Sequence, residues 1–417
     1  MKEYDAVVIG GGPAGMMAAA TAAAGGQKTL LIEKMERPGR KLRITGKGRC
    51  NLTNTRMGDE FLEKVRANPE FFRSSLSFFS TKSTVQFFEK NGVKLVTERG
   101  DRVFPASGKA WDISDALVNF CKKTDVEILC NTRVIRIDTE KKAVESVVVK
   151  NKRGVSERIF AKNVILATGG MSYPATGSTG DGYQLAHDLG HSIVEVRPSL
   201  VPLEIEPAMT PRLAGLGLRN INLTLLVDGQ PVVAEFGEMD FSERGMEGAL
   251  ILRISRQAVD ALIEEKSVEV SIDLKPALDT EQLQARIVRE REEFSEEATV
   301  KDLLSKLTLQ KILPLVVTQA DVELTLPLLQ LEPEQVDRLI AALKDVRLKV
   351  TDYRPFTEAV VTAGGIDVSQ VDPRTLQSKQ VAGLYFAGEV LDIDADTGGY
   401  NIQIALSTGR VAGRLYK

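Results

Sequence analysis

The chain has 417 residues, a formal net charge of −3 at pH 7 and three cysteines. A chain of this length exceeds what one hydrophobic core normally serves, so we expect two or three domains in a soluble globular protein. The small net charge excludes a general attraction to nucleic acid or to an anionic membrane. The odd number of cysteines, without metal-ligand spacing, is typical of a reducing compartment. No apolar run reaches membrane-spanning length and no secretory signal is recognisable, so we expect a cytoplasmic location.

The chain opens with a strand–helix–strand pattern. Residues 4–9 (YDAVVI) predict a buried strand, residues 14–24 an Ala-rich helix, and residues 29–33 (TLLIE) a second strand. A βαβ unit of this kind predicts a parallel sheet that binds its ligand at the carboxyl ends of the strands.

The pattern of apolar and polar residues changes along the rest of the chain. A helical stretch at 60–91 is followed by predicted strands at 126–130, 132–138, 144–150 and 163–168. From about Pro198 apolar and polar residues alternate, which is typical of antiparallel strands with one face in solvent. We therefore predict an α/β domain with an insert, bounded at 1–196 for its first part, 197–277 for a β-rich insert, 278–348 for a helical part of the insert and 349–417 for the return to the α/β domain.

The stretch GGGPAG at 10–15 places the pattern G-x-G-x-x-G between the first strand and the first helix. Gly10 permits the tight turn, Gly12 allows a pyrophosphate to approach the backbone, and Gly15 allows close packing of helix and strand. Glu33 ends the second strand, where it is placed to hydrogen-bond a ribose. The sequence therefore predicts a dinucleotide-binding site.

Two later segments distinguish FAD from NAD. NVILATGG (163–170) and VAGLYFAGEV (381–390) are further glycine-ended strands, and a helix begins at 398–401 (GGYN). An extended FAD needs such a second helix start, which stabilises negative charge on the reduced flavin. The stretch AGLGLR (214–219) lacks a third glycine and a strand–helix context. We therefore predict FAD as the cofactor, and NAD(P)H, if it is the reductant, docking on the flavin without a nicotinamide domain.

These motifs resemble a known family. GRKLRITGKGRCNLTN (39–54), DRVFPASGKAWDI, VILATGGMSYPATGSTGDGYQLAHDLGH and GLYFAGEVLDIDADTGGYNIQIALSTG look like the BaiN-like group of bacterial flavoproteins, also described as aminoacetone-oxidase-like. The resemblance covers nearly the whole chain in the same order. It implies a glutathione-reductase-like FAD/NAD(P)-binding Rossmann domain interrupted by a β-barrel-like insert and a small helical subdomain. One segment departs from the family pattern, with Glu243 where a histidine is usual.

The resemblance also implies a set of FAD contacts spread over the whole chain. The residues concerned are Gly10, Gly12, Ala14, Gly15, Glu33, Arg40, Lys41, Gly48, Arg49, Cys50, Asn51, Val134, Thr168, Gly169, Gly388, Glu389, Gly399, Tyr400, Asn401 and Ile402.

The loop at 39–54 combines cations, glycines and a single cysteine. Six cations between positions 37 and 49 are expected to neutralise a pyrophosphate and the reduced flavin. Cys50 has Thr55 where a disulfide reductase would have a second cysteine, so no local redox pair forms. A lone thiolate activated by Arg49 remains an alternative. The weak catalytic candidates are Cys50, Arg49, Tyr400 and Arg102.

The histidines His187 and His191 stand four residues apart, as in a zinc-binding helix. Gly190 is a helix terminator, so His191 is expected to lie beyond the helix, and no third ligand is evident. We therefore expect no metal site.

The sequence predicts an FAD-dependent oxidoreductase that transfers hydride equivalents through the flavin to or from a small organic substrate, with NAD(P)H as reductant. An oxygen-dependent amine oxidase that produces hydrogen peroxide is the alternative within the enzyme class. The alternative from another class is a flavin-carrying RNA-binding or accessory protein. The net charge of −3 argues against nucleic acid as a partner, and no membrane partner is expected. The oligomeric state is left open.

Overall fold

A computed structural model describes residues 2–416, and the chain divides into two compact units. One unit is interrupted by the other, which spans Leu200–Pro355. The predicted boundaries were 196/197 and 348/349. In the structure the inserted unit ends at Pro355, later than the predicted boundary at 348/349, because the segment Val346–Tyr353 is one of its strands. The outermost residues of the predicted domains, Met1 and Lys417, lie outside the described residues.

The interrupted unit contains strands and helices in alternation. Its first segment has the strands β1 (Glu3–Ile9), β2 (Thr29–Ile32), β3 (Thr53–Asn54), β4 (Leu95–Glu98), β5 (Arg102–Pro105), β6 (Glu127–Leu129), β7 (Thr132–Glu140), β8 (Ala143–Asn151), β9 (Ser156–Leu166) and β10 (Ile193–Ser199). Its helices are α1 (Pro13–Ala24), α2 (Arg40–Ile44), α3 (Gly58–Leu62), α4 (Pro69–Phe78), α5 (Thr81–Lys90), α6 (Ala110–Lys123) and α7 (Asp181–His187).

The inserted unit has the strands β11 (Leu203–Ile205), β12 (Gly217–Val227), β13 (Gln230–Ser242), β14 (Gly245–Glu247), β15 (Val268–Asp273) and β16 (Val346–Tyr353). Its helices are α8 (Thr210–Leu213), α9 (Ala249–Ile263), α10 (Thr280–Glu293), α11 (Val300–Leu307), α12 (Leu313–Ala320) and α13 (Pro333–Lys344). The interrupted unit resumes with β17 (Val361–Ile366), β18 (Leu384–Phe386) and α14 (Tyr400–Ala412). Within residues 2–416, no helix is long and apolar enough to cross a membrane.

The main sheet of the interrupted unit has the strand order β6-β2-β1-β9-β8-β7, with β18 paired to β9. The pairs that involve β1, β2, β6 and β18 are parallel, which confirms the predicted βαβ opening. Strands β7, β8 and β9 form an antiparallel meander that the sequence analysis did not specify. Because the parallel strands all end at one edge, the loops that follow β1, β2, β9 and β18 share that edge.

Helices α1 and α14 approach each other closely because glycines lie at their contact. A Cβ at Gly409 would lie 2.3 Å from the Ala14 carbonyl oxygen, and one at Gly413 would lie 2.4 Å from that of Ala18. The two contacts advance together along both helices, so the helices run parallel. Their N-termini therefore both point to the carboxyl edge of the sheet.

The inserted unit is built on a closed barrel in the order β11-β14-β13-β12-β15-β16, which confirms the predicted barrel-like insert. Strand β16 follows the helical segment and pairs with both β11 and β15. The β-rich and helical parts therefore share one hydrophobic core. Helix α9 lies within the stretch predicted as β-rich, although its buried residues Leu250, Ile254, Ala258 and Ala261 have helical spacing.

His191 lies beyond helix α7 and is buried within the interrupted unit. Its Nε2 atom is 2.8 Å from Ser378 Oγ, and its Nδ1 atom is 3.3 Å from the Ala186 carbonyl oxygen. Ser378 Oγ also accepts hydrogen bonds from the backbone N–H groups of Gln380 and Val381, so its own hydrogen is directed at the ring. Burial lowers the pKa of His191 below its ordinary value of 6.5.

We predict that His191 makes the stability of the protein fall at mildly acidic pH. The unfolded chain takes up a proton on this ring below pH 6.5 while the folded chain does not, so the free energy of unfolding decreases there. His191→Gln retains a hydrogen-bonding side chain but does not titrate. Urea unfolding at about pH 7.5 and about pH 5.5 should show a smaller pH dependence for the variant. An equal pH dependence in both proteins would contradict this assignment.

Candidate functional site

Four loops meet at the carboxyl edge of the parallel sheet. Gly10 follows β1, Glu33 follows β2, Thr168 lies two residues after β9 and Gly388 two residues after β18. Neighbouring parallel strands end together, so these loops lie side by side. The fold thus brings together the separate glycine motifs on which the FAD prediction rests.

The three glycines of the first loop have different surroundings. Gly10 has a φ of +107°, and a Cβ there would lie 2.4 Å from the Ala167 carbonyl oxygen. A Cβ at Gly15 would lie 1.8 Å from the Gly10 carbonyl oxygen, whereas one at Gly12 would meet no atom within 4 Å. Gly10 and Gly15 are therefore required by packing, and Gly12 leaves open space before the N-terminus of α1. Unpaired helix N–H groups beside open space fit the pyrophosphate of FAD.

Glu33 holds the glycine loop in place. Its Oε2 atom accepts a hydrogen bond of 2.7 Å from Gly11 N, and its Oε1 atom accepts one of 2.7 Å from Met35 N. Burial raises the pKa of this carboxyl group, although both hydrogen bonds oppose the shift. Glu33 therefore has a structural role in the loop that the sequence analysis did not foresee. The predicted contact with a ribose stays a prediction.

Two further observations fit a bound cofactor at this edge. Thr168 Oγ1 is buried and has no hydrogen-bond partner among the described residues. A Cβ at Gly388 would lie 2.8 Å from Ala14 Cβ, so the loop after β18 reaches the first turn of α1. Val134, the predicted adenine contact, is buried on β7. The first residue of that strand is tied to the end of β2, because Thr132 N donates a hydrogen bond of 3.1 Å to the Glu33 carbonyl oxygen.

Lys41 and Glu389 form a partly buried ion pair across 348 residues of chain. Lys41 Nζ is 2.8 Å from Glu389 Oε2 and donates to Ser172 Oγ over 2.6 Å. Glu389 Oε1 also accepts hydrogen bonds from Thr362 N at 2.8 Å and from Ser172 Oγ at 3.1 Å. The sequence analysis named Lys41 and Glu389 but missed Ser172 and Thr362. The position of Ser172 directly after the glycine-ended motif ATGGM was the available signal for it.

Other cations of the loop at 39–54 have acidic partners on the protein itself. Arg40 Nη1 is 2.6 Å from Glu36, and Arg43 Nη2 is 3.2 Å from Asp115. Local carboxylates therefore already neutralise these two arginines, and the expectation that all six cations neutralise the cofactor stays a prediction.

Of the catalytic candidates, Arg102 begins β5 of the small sheet β3-β5-β4, and Arg49 lies in the loop before β3. The Arg49 guanidinium forms an ion pair with Glu98 and lies 4.5 Å from the centre of the Phe104 ring. Arg102 is exposed, and its Nε donates to the Arg99 carbonyl oxygen over 2.9 Å. The charge of Arg49 is thus paired with Glu98.

Cys50 is fully buried, and burial raises the pKa of its thiol to about 12. The thiol is therefore protonated at neutral pH, which contradicts the alternative of a thiolate activated by Arg49. The three cysteines are all free, and Cys121 is also buried. The described residues accordingly form no disulfide.

The N-terminus of α14 forms the second helix start at the site. Gly399 precedes the helix with a φ of +94°, and a Cβ there would lie 2.4 Å from the Thr53 carbonyl oxygen. With its amide suitably oriented, Asn51 accepts a hydrogen bond of 3.2 Å from Gly399 N. Asn401 closes the loop by accepting from Ala395 N at 3.0 Å. Tyr400 is buried against Phe61, with ring centroids 4.8 Å apart.

Burial raises the pKa of Tyr400, so its hydroxyl group stays protonated at neutral pH. Ile402 follows in the first turn of the same helix, and Gly48 and Gly169 each have a positive φ. Of the two histidines, only His191 is buried, and no group of three possible metal ligands occurs between residues 2 and 416.

The sheet, the glycine loop and the two helix starts define an FAD-dependent oxidoreductase. The model of the HI0933-like protein Rossmann domain matches residues 4–415, and the chain belongs to this family. The predicted family resemblance is thereby confirmed.

Relatives and solved structures agree with this assignment. The chain is 32% identical to the 3-dehydro-bile acid delta(4,6)-reductase of Clostridium scindens, over 93% of this chain and 92% of that protein. It is 29% identical to the ribosomal RNA dihydrouridine synthase of Escherichia coli, over 98% and 96% of the two chains. The fold is similar to that of 3-ketosteroid delta1-dehydrogenase from Sterolibacterium denitrificans, with a TM-score of 0.56, 15% identity and 99% coverage of both chains.

We predict that Gly12→Val abolishes FAD retention without unfolding the protein. The new side chain meets no protein atom within 4 Å but occupies the space before the N-terminus of α1. Flavin absorbance of the purified protein and thermal unfolding measure the two effects. Gly15→Ala is the matched comparison and should destabilise the fold, because its Cβ would lie 1.8 Å from the Gly10 carbonyl oxygen. Normal flavin content in Gly12→Val would refute this placement of the cofactor.

We also predict that Cys50→Ser retains both FAD and turnover. The wild-type thiol is protonated at neutral pH, so its replacement removes no nucleophile. Flavin absorbance and steady-state turnover of the variant provide the measurement. Loss of turnover with FAD still bound would show that the thiol takes part in the reaction.

Proposed function

We propose that the protein reduces a carbon–carbon double bond conjugated to a carbonyl group, with hydride passing through the flavin from NAD(P)H. The observation that carries this proposal is the match to a delta(4,6)-reductase over 93% of the chain. The rRNA dihydrouridine synthases are named for the same kind of change, because uracil contains a double bond conjugated to a carbonyl. Bound FAD supplies the hydride donor and acceptor in such reactions.

The residues of the chain have two tasks in this proposal. The Lys41–Glu389 pair, supported by Ser172 and Thr362, orients polar groups at the carboxyl edge of the sheet. Tyr400, protonated at neutral pH, is our candidate for the proton that the second carbon receives.

One feature of the fold supports a proposal for the route of the reductant. The glycines of AGLGLR (214–219) lie at the start of barrel strand β12, where no helix follows, so this stretch is not a second nucleotide motif. We therefore propose that NAD(P)H docks at the flavin itself and leaves before the substrate binds. The free cysteines support a cytoplasmic location for the reaction.

A second candidate is the reduction of uracil within RNA. It is favoured by the match to two rRNA dihydrouridine synthases over 98% of the chain. The chemistry at the flavin is the same, but the substrate is a base held on a polyanion. The amine oxidase alternative has no comparable support.

Anaerobic stopped-flow mixing tests the proposed reaction. We expect NADH or NADPH to bleach the flavin absorbance, and a conjugated enone such as a 4-en-3-one steroid to restore it. The saturated 3-ketone is the matched control and should not restore it. Bleaching by aminoacetone, with no response to either nicotinamide nucleotide, would instead support the oxidase alternative and contradict the proposal.

A further inference from the structure

The hairpin formed by β4, β5 and the segment up to Lys109, which we name the cationic hairpin (residues 94–109), carries unpaired positive charge. Lys94, Arg99 and Lys109 are exposed, and no ion pair within the described part of the chain involves them. Its acidic residues, Glu98 and Asp101, are paired with arginines from the neighbouring loop. The remaining cations are therefore available to an external anion.

The local charge contrasts with that of the whole chain. The segments 39–56 and 94–109 together contain ten lysines and arginines and only two acidic residues, although the net charge of the chain is −3. Basic side chains are therefore concentrated around the small sheet β3-β5-β4. A local patch of this kind can attract a polyanion even though the net charge of the chain does not.

The cationic hairpin is attached directly to the second helix start of the flavin site. Asn54 Nδ2 donates to the Gly100 carbonyl oxygen at 3.2 Å and to the Gly398 carbonyl oxygen at 3.3 Å. Gly100 lies in the hairpin turn, and Gly398 precedes α14 by one glycine. A polyanion on the hairpin would therefore run past the entrance of α14.

The chemistry of the surface favours a nucleic acid over other anionic partners. Val96, 42% exposed, is the only large exposed hydrophobic side chain of the hairpin, so the apolar centre that a protein or membrane partner needs is missing. Lys94 and Arg99 stand at the two ends of edge strand β4, about 17 Å apart along an extended chain. Charges spread over this length can contact phosphates a few nucleotides apart on a single strand.

We propose that the cationic hairpin binds the phosphate backbone of an RNA whose base enters the flavin site. The proposal rests on the second candidate function, since it gives that substrate its docking surface. It also explains why the positive charge is concentrated beside Gly398 in a chain that is acidic overall.

Fluorescence anisotropy with a fluorescein-labelled polyuridine oligonucleotide tests the proposal on the FAD-loaded full chain. We expect Lys94→Glu/Arg99→Glu to weaken binding by at least about tenfold and to reduce the slope of log affinity against log salt by about 1.4. The neutral pair Lys94→Gln/Arg99→Gln should lie between this variant and the wild type. Flavin absorbance and thermal unfolding establish that each variant is folded.

The matched control is Lys152→Glu/Arg153→Glu, two exposed cations without ion-pair partners on the turn after β8. We expect this variant to bind RNA within about twofold of the wild type, because it changes net charge away from the hairpin. Equal losses in both double variants, or no loss in either, would overturn the proposal. Loss of binding to phosphatidylserine vesicles, or a raised KM for NADPH, with RNA binding unchanged in the hairpin variant would also overturn it.

Measurements of RNA binding and of enone reduction on the wild type distinguish a failure of this proposal from a failure of the proposed reaction. RNA binding through the hairpin, without reduction of a conjugated double bond, would remove the proposed function and leave the docking surface in place. Reduction of a conjugated enone, without measurable RNA binding, would remove the docking surface alone.

Discussion

The position of the whole site depends on how closely the backbone of α1 approaches strands β1 and β9. No side chain fits at Gly15, where a Cβ would lie 1.8 Å from the Gly10 carbonyl oxygen, and Gly10 itself is pressed against Ala167. Gly409 extends the same constraint to α14, which is held against α1 by backbone contact. Two helix N-termini are thereby fixed at one edge of the sheet, where both can act on a negatively charged cofactor.

Most cations at the site are neutralised by carboxylates of the protein itself. Arg40, Arg43 and Arg49 each have a carboxylate partner, and Lys41 is paired with Glu389. The pair formed by Lys41 joins the loop before the small sheet to the end of β18, so it orders the site as well as neutralising it. Lys94, Arg99 and Lys109, for which the described residues show no ion pair, lie instead on the exposed hairpin, where they can act on a partner outside the site.

The chemistry that we propose for this architecture is direct hydride transfer. The cysteines are free, and the thiol nearest the site is protonated because it is buried. One nucleotide-binding turn serves the unit that holds the flavin, and the insert contributes a barrel with its own core. The chain is similar over nearly its whole length to a 3-dehydro-bile acid delta(4,6)-reductase and to a ribosomal RNA dihydrouridine synthase, so relatives with different names share this architecture.

The sequence by itself determined the class of protein, because the glycine spacing at 10–15 with Glu33 is a local pattern typical of dinucleotide binding, and the glycines at 398–399 mark a second helix start. It also indicated the interrupted domain and the barrel-like insert. Helix α9 was missed because the sequence on both sides of it has the alternation typical of strands. Strand β16 was not assigned to the barrel because the helical segment separates it in the chain from the other barrel strands. Only the tertiary structure decided which cations are paired, that Cys50 is buried, and that Ser172 and Thr362 meet Glu389. These properties depend on contacts between residues far apart in the chain, which no local pattern records.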